Sequence, residues 1–515
     1  MRRGGAVFAA AWLILSLLSS AWAMATPISG APDEPAHIIK AASVARGELV
    51  GTASENGHTV SVPRYIANTH QATCFAFQPA VPASCADDVA LNSAQIIPAE
   101  TTAGLYNPTY YALVGWPSLV VGNETGIYLM RIVSGIVASG FLALCFLLVS
   151  SWSRKTMPVL GLIIASTPMV LFLNGVVNPN SLETAATLAA FVALLSILLQ
   201  PDSRLQNQRL FILVLSAAFA VNSRGLSPLW VAVLLFIPLF LITPTALWAL
   251  LRTKSVVIAI IAILVSVALA LGWTLSSNSL AAGVASDTPV TAYPGVGASP
   301  ITGFITIFRE TFGYANGLIG QFGWLDTTAP AGTLYVWAAL TGFLFITACA
   351  VLRGRHLLVF FLLAAMLVLL PAIIQGLYVT KGGFIWQGRY SLPLFVCLVV
   401  GAAAFVGERI TWNHDSVRRR LGAVVLVAAA FAHVLAFAVV LQRYAVGNLG
   451  SLRAFYLSPD WQPPGGVLLS VGFFTVVVAV SAVVVRQWLT NDQSSAPNAP
   501  MLVAPPNARR VRTHR

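Results

Sequence analysis

A chain of 515 residues that is 57% hydrophobic and 9% charged cannot hide its apolar surface in cores of ordinary size, and a soluble domain usually carries about 25% charged residues. The formal net charge of +12 would suit nucleic acid in a soluble protein. Here the charge follows membrane topology, which excludes a soluble enzyme and a nucleic-acid partner.

A spanning helix needs about 20 mostly apolar residues. Such runs fall near 6–26, 126–150, 157–177, 180–199, 209–222, 229–250, 255–275, 333–352, 357–379, 391–407, 421–441 and 467–485, which makes 12, the fifth being short. The sequence therefore predicts an all-α polytopic membrane protein. No soluble domain separates the spans, so residues 1–490 form one transmembrane domain. With the N-terminus inside, 19 of the 29 basic and 4 of the 17 acidic residues fall on the inner side, a balance of +15 against −3. That bias predicts cytoplasmic termini.

Arg2, Arg3, the first apolar run and Ala21-Trp22-Ala23 resemble a secretory signal. The run is long for a signal and long enough to span, so it reads as an uncleaved first helix. Outer loops follow at about 27–125, 276–332 and 442–466. The tail, 491–515, is basic and rich in Pro and Asn, and is expected to be disordered on the cytoplasmic side, where it could meet anionic lipid. Cys74 and Cys85 share the first outer loop, where an oxidising compartment permits a disulfide; two free thiols are the alternative. Cys145, Cys349 and Cys397 lie in spans and read as packing residues. No His/Cys cluster has metal-ligand spacing.

Chemistry concentrates at the outer side. Just after the first span the chain reads Pro32-Asp33-Glu34-Pro35-Ala36-His37. Pro35 suits the first turn of a helix and Gly47 its end, giving a short helix lying on the outer membrane surface. His37 would share the face of Asp33. The plainer reading is that Asp33 or Glu34 only caps that helix. The first loop ends in Tyr106-Asn107-Pro108-Thr109-Tyr110-Tyr111. Asn178-Pro179-Asn180 precedes Glu183, and Arg224 sits in Asn222-Ser223-Arg224-Gly225. Phe322-Gly323-Trp324-Leu325-Asp326-Thr327 closes the second loop; Trp386-Gln387-Gly388-Arg389-Tyr390 precedes the tenth span. Arg131 lies at the outer end of the second. Ionisable groups at membrane depth are expensive and usually functional; the alternative for Arg131, Arg224 and Arg389 is snorkelling to headgroups.

Five of these runs, in order over residues 32 to 393, resemble the bacterial membrane family catalogued as domain of unknown function 2142. That family resembles the GT-C glycosyltransferases, which carry an acidic pair just after the first helix, a large first outer loop and polyprenyl-phosphate sugar donors. The resemblance implies a GT-C-like bundle in the bacterial cytoplasmic membrane. It also implies transfer from a polyprenyl-phosphate-linked sugar donor to a glycan or lipid acceptor of the cell envelope. Asp33 would be the base, with Glu34 orienting the acceptor or sharing the role. Arg389, with Arg224 and Arg131 as further choices, would hold the donor phosphate. His37, Tyr110, Trp324, Asp326, Trp386 and Tyr390 would meet sugar or acceptor. No cofactor is certain, and a divalent cation is left open. Asp33 and Arg389 should stand roughly 6–10 Å apart, leaving room for the reacting groups. The other classes in view are a transporter or flippase of polyprenyl-linked glycans, which would bind nearer the bilayer midplane, and a non-catalytic subunit of a polysaccharide assembly.

Overall fold

The computed structural model describes residues 2–55, 57–279, 294–410 and 414–491. The tail expected to be disordered, from residue 492 on, lies outside the described residues. The chain begins with α1 (Arg2–Ala25), a short helix α2 (Glu34–Ala45) and the first large loop, which ends in α3 (Pro108–Val114). The bundle continues with α4 (Glu124–Ser150), α5 (Thr156–Ala165), α6 (Pro168–Asn174), α7 (Asn180–Leu199), α8 (Gln206–Val221), α9 (Ser227–Phe236) and α10 (Lys254–Ser276). A helix in the second loop, α11 (Thr311–Ile319), precedes α12 (Ala331–Val351), α13 (Arg355–Gly382), α14 (Leu392–Arg409), α15 (Asp415–Val446) and α16 (Val467–Asn491).

Among the described residues nine helices are long and apolar enough to cross a membrane, or ten if α5 and α6 count as one span. The expected 12 segments are all helical, but they are not 12 full spans. Two of them, Gln206–Val221 and Ser227–Leu241, are shorter apolar helices. The segment at 157–177 is bent by 64°. Thr167 is extended there, its side chain accepts from Val170 N, and Pro168 opens the new helix. Proline lacks an N–H and cannot continue the preceding turn, but its fixed φ suits a first helical position. The innermost helices are α7 and α14, whose apolar windows are 89% and 94% buried; those of α10 and α12 are 17% buried and face outward.

The first loop is not purely helical. β1 (Thr52–Ser54), β2 (Gly57–Pro63) and β3 (Ile96–Thr101) form an antiparallel sheet in that order, with Thr59 opposite both Thr52 and Glu100. Thr101 donates to the Ala36 carbonyl at 2.7 Å. The Lys40 ammonium donates to the carbonyls of Leu49 and Gly104. These contacts fold the loop over α2, so every residue from Glu34 to Val44 is buried. The helix expected to lie on the membrane surface is instead enclosed by protein; Gly47, at φ 87°, follows its end. A disulfide joins Cys74 and Cys85, with Cα atoms 6.2 Å apart.

A second hairpin, β4 (Gln321–Phe322) and β5 (Thr327–Thr328), closes the other long loop. Phe322 anchors it, stacking on Trp22 at 5.4 Å and meeting Phe172 edge-on at 5.3 Å. Arg443, at the end of α15, gathers both loops. It pairs with Asp326 at 2.7 Å, and donates to Thr327 and to the carbonyls of Phe75, Gln78 and Val81. Tyr444 donates to the Gly30 carbonyl at 2.6 Å. The turn before α2 is thereby fixed from above.

Candidate active site

The turn leading into α2 decides the fate of two neighbouring carboxylates. Asp33 stands at the N-cap position with φ 62° and ψ 3°, and its side chain makes no capping hydrogen bond. A non-glycine residue in the left-handed region is uncommon and strained. The conformation turns the half-exposed Asp33 toward Arg389, whose Nη2 donates to Oδ2 at 2.8 Å. Simple capping, the plainer reading of Asp33, does not describe it. Nor does the expected gap of roughly 6–10 Å, because the two charges meet directly: opposite charges near low-dielectric walls attract strongly.

Glu34 begins the helix itself and points the other way. Arg131 grips it with Nε at 2.7 Å and Nη2 at 2.6 Å, and Val177 N donates to the same carboxylate. The remaining Arg131 donors go to the carbonyls of Ala23, Thr26 and Pro27. Both side chains are fully buried. With five N–H groups in all, Arg131 has none left for a phosphate, and Glu34 cannot reach an acceptor. Asp33 and Glu34 therefore diverge and do not chelate one cation between them. Among the described residues no group of three or more His, Cys, Asp or Glu could hold a metal ion.

Arg389 differs. It is 2% exposed, and its Nε and Nη1 have no hydrogen-bond partner; neither has the buried Oε1 of Gln387. Buried polar groups are nearly always paired, so an arginine with unused donors beside a half-exposed carboxylate marks a place built for a polar ligand. The preceding turn is held by Gln375 at the end of α13, which accepts from Ile385 N and Trp386 N. Gly388 permits the close approach of α11: a Cβ there would stand 2.0 Å from the Tyr314 carbonyl oxygen.

A second guanidinium shares the next side chain. Arg224 lies 4.7 Å and Arg389 5.4 Å from the Tyr390 ring centroid. Glu183, fully buried on α7, stands 3.5 Å from Arg224 and accepts from Ser227 at 2.6 Å. His37 bonds the Tyr111 hydroxyl through Nδ1 at 2.9 Å and meets Tyr106 edge-on at 5.6 Å. Burial drives the His37 pKa down to about 3, with Asp33 opposing and Arg224 and Arg389 adding to the fall. Burial likewise raises Tyr111 well above its ordinary value.

Asp33, His37, Arg224, Arg389 and Tyr390 thus come together. Of the other expected contacts, Trp386 packs against the cluster through Tyr390, and the rest lie apart from it. Tyr110 is buried with its hydroxyl on Ser134 at 2.9 Å. Trp386 is buried edge-on against Trp230 and Tyr390. Asp326 is held by Arg443. Trp324 donates to the Ser29 carbonyl at 2.9 Å and leans on Phe77. Glu183, Tyr106 and Tyr111 belong to the cluster without having been singled out as site residues. The signal for Glu183 was present, an acid inside an apolar span.

The apolar bundle and the polar cluster at one end define a multi-pass membrane protein with a charged site between loop and helix ends. Residues 16–399 match the family described as predicted membrane protein, domain of unknown function 2142, and the chain belongs to that family. No curated protein matches. One solved structure similar to this chain is the crystal structure of ArnT from Cupriavidus metallidurans bound to undecaprenyl phosphate. It is 14% identical, with 93% of this chain and 76% of that one covered, at a TM-score of 0.43. At that score the likeness says nothing of this chain's chemistry.

Proposed function

We propose that this protein transfers a sugar from a polyprenyl-phosphate donor to a glycan or lipid acceptor of the cell envelope, at the outer face of the bacterial cytoplasmic membrane. Both termini would be cytoplasmic. The observation that carries this reading is the pairing of half-exposed Asp33 with buried Arg389, two of whose nitrogens lack partners. The acceptor hydroxyl attacks the anomeric carbon and gives its proton to Asp33. The bond from that carbon to the phosphate oxygen breaks, leaving the polyprenyl phosphate. Nε and Nη1 of Arg389 hold the charge that gathers on the leaving phosphate, with Arg224 as the second cation. In-line displacement inverts the anomeric centre and asks base and phosphate to stand on opposite sides of it. The Asp33–Arg389 contact therefore opens as the donor enters, and the half-exposed carboxylate is the partner that swings. His37, kept neutral by burial, adds no competing positive charge. Glu34 and Arg131 serve the reaction only by fixing the turn that aims Asp33. No step here calls on a metal ion.

The test is transfer in detergent by the purified full chain, with synthetic polyprenyl-phosphate sugars as donors. Without a sealed membrane this readout is blind to transport. Wild-type transfer that Asp33→Asn removes, with donor binding kept, supports the reading. Transfer at the wild-type rate by Asp33→Asn refutes it. Tags at either terminus that report the outer face would refute the orientation.

A further inference from the structure

The end of the bundle opposite Asp33, where α15 begins and α16 finishes, carries features that sugar transfer does not use. An apolar cleft of about 300 Å³ lies between α1, α15 and α16, with Leu18, Leu171, Ala430, Val478 and Trp488 among its walls. Leu426 also lines a shallow recess at the end of α16, where Arg418, Arg419 and Arg486 converge beside Thr156 and Leu489. Cleft and recess therefore adjoin. Arg418 is 7% exposed. Its Nη1 donates to the Leu489 carbonyl at 3.1 Å and to Thr156 at 3.4 Å. Its Nε has no hydrogen-bond partner; the nearest acid, Asp415, stands 3.6 Å away. Arg419 and Arg486 are exposed at the rim.

We infer that this is a binding site for an anionic phospholipid of the bilayer, with its phosphate on the three arginines and an acyl chain in the cleft. Three arginines in one recess form a strong field for a phosphate. Buried Arg418 Nε makes no hydrogen bond and faces only the half-exposed Asp415 at 3.6 Å, so one acid against three arginines leaves the recess positively charged for a phosphate. The cleft runs along helices that cross the same membrane, so an acyl chain reaches it without leaving the hydrocarbon. A free phosphate would use only the recess; a neutral lipid would use only the cleft. The site is separate from the Asp33 cluster and stands or falls independently of the proposed transfer.

The test is native mass spectrometry of the purified full chain titrated with phosphatidylglycerol and phosphatidylcholine of identical chains. Phosphatidylglycerol should be retained preferentially by the wild type, and this arm needs no variant. The exposed pair Arg419→Gln and Arg486→Gln should weaken it about tenfold or more. Ala430→Trp, which fills the cleft and leaves the arginines in place, should release the lipid as well. Equal retention of the two lipids overturns the headgroup assignment. Inorganic phosphate displacing phosphatidylglycerol, or full retention by Ala430→Trp, overturns the acyl-chain assignment.

Discussion

Asp33 and Glu34 are neighbours in the chain, and each meets an arginine, yet the two ion pairs are opposites. Glu34–Arg131 is sealed and complete, with both side chains at 0% exposure and every arginine donor used. Asp33–Arg389 is open and incomplete, half-exposed on the acid side and short of partners on the basic side. A saturated pair can only hold structure. A pair with unused donors can change partners. An acidic dyad in a sequence thus need not be a functional dyad: one turn of backbone gives its two members different work.

The largest expected effect comes from breaking the sealed pair. Arg131→Ala leaves Glu34 buried without its countercharge, and losing one partner of such a pair costs about 3–5 kcal/mol. Thermal unfolding in detergent should show a large fall or no folded protein, and a variant as stable as the wild type would erase the contrast. Asp33→Asn keeps an acceptor for Arg389 on a half-exposed side chain, so it should lower the unfolding temperature less than Arg131→Ala while cutting turnover about 10²-fold or more, as removal of a general base does. Single-turnover transfer measured beside the melt would separate the two roles. Arg389→Ala should weaken donor binding and slow transfer together, because it takes charge from ground and transition states alike. A fall in turnover with donor affinity intact would assign the phosphate to Arg224 instead.

The smallest effect is one of acidity. His37 is held neutral by burial, its pKa lowered from 6.5 to about 3. Between those values the unfolded chain binds a proton that the folded chain does not, so stability rises with pH through that window. The contribution is complete above pH 6.5 and is lost as the pH falls toward 3. His37→Gln should flatten that part of the pH–stability curve. An unchanged slope would mean that His37 is not buried as a neutral group.

Much of this could be read from the residues. The helical segments follow from apolar runs, and the motif around Arg389 from polar groups where few belong. What was hidden depends on direction. Successive residues at a helix start point far apart, so the string Asp33-Glu34 does not say which acid meets Arg389 and which meets Arg131. Arg131 looks like a second phosphate ligand until its five donors are counted. Arg443 carries a signal of its own, because an arginine within an otherwise apolar helix end calls for a dedicated partner. The sheet in the first loop is faint in the sequence because the alternation His58-Thr59-Val60-Ser61-Val62 within β2 is brief among turns, and a short alternation is weak evidence for a strand.

Arg443 and Tyr444 also bear on the order in which the protein can mature. Their partners, at Gly30, at Phe75 to Val81 and at Asp326, leave the ribosome long before α15 does. Large chains build their structure during synthesis, from the N-terminal side onward. Here the turn that aims Asp33 and both long loops lack their common anchor until nearly the whole polypeptide has been inserted. A chain arrested before α15 would carry Asp33 with its surroundings unfastened, and only the nearly finished protein would hold that carboxylate in place.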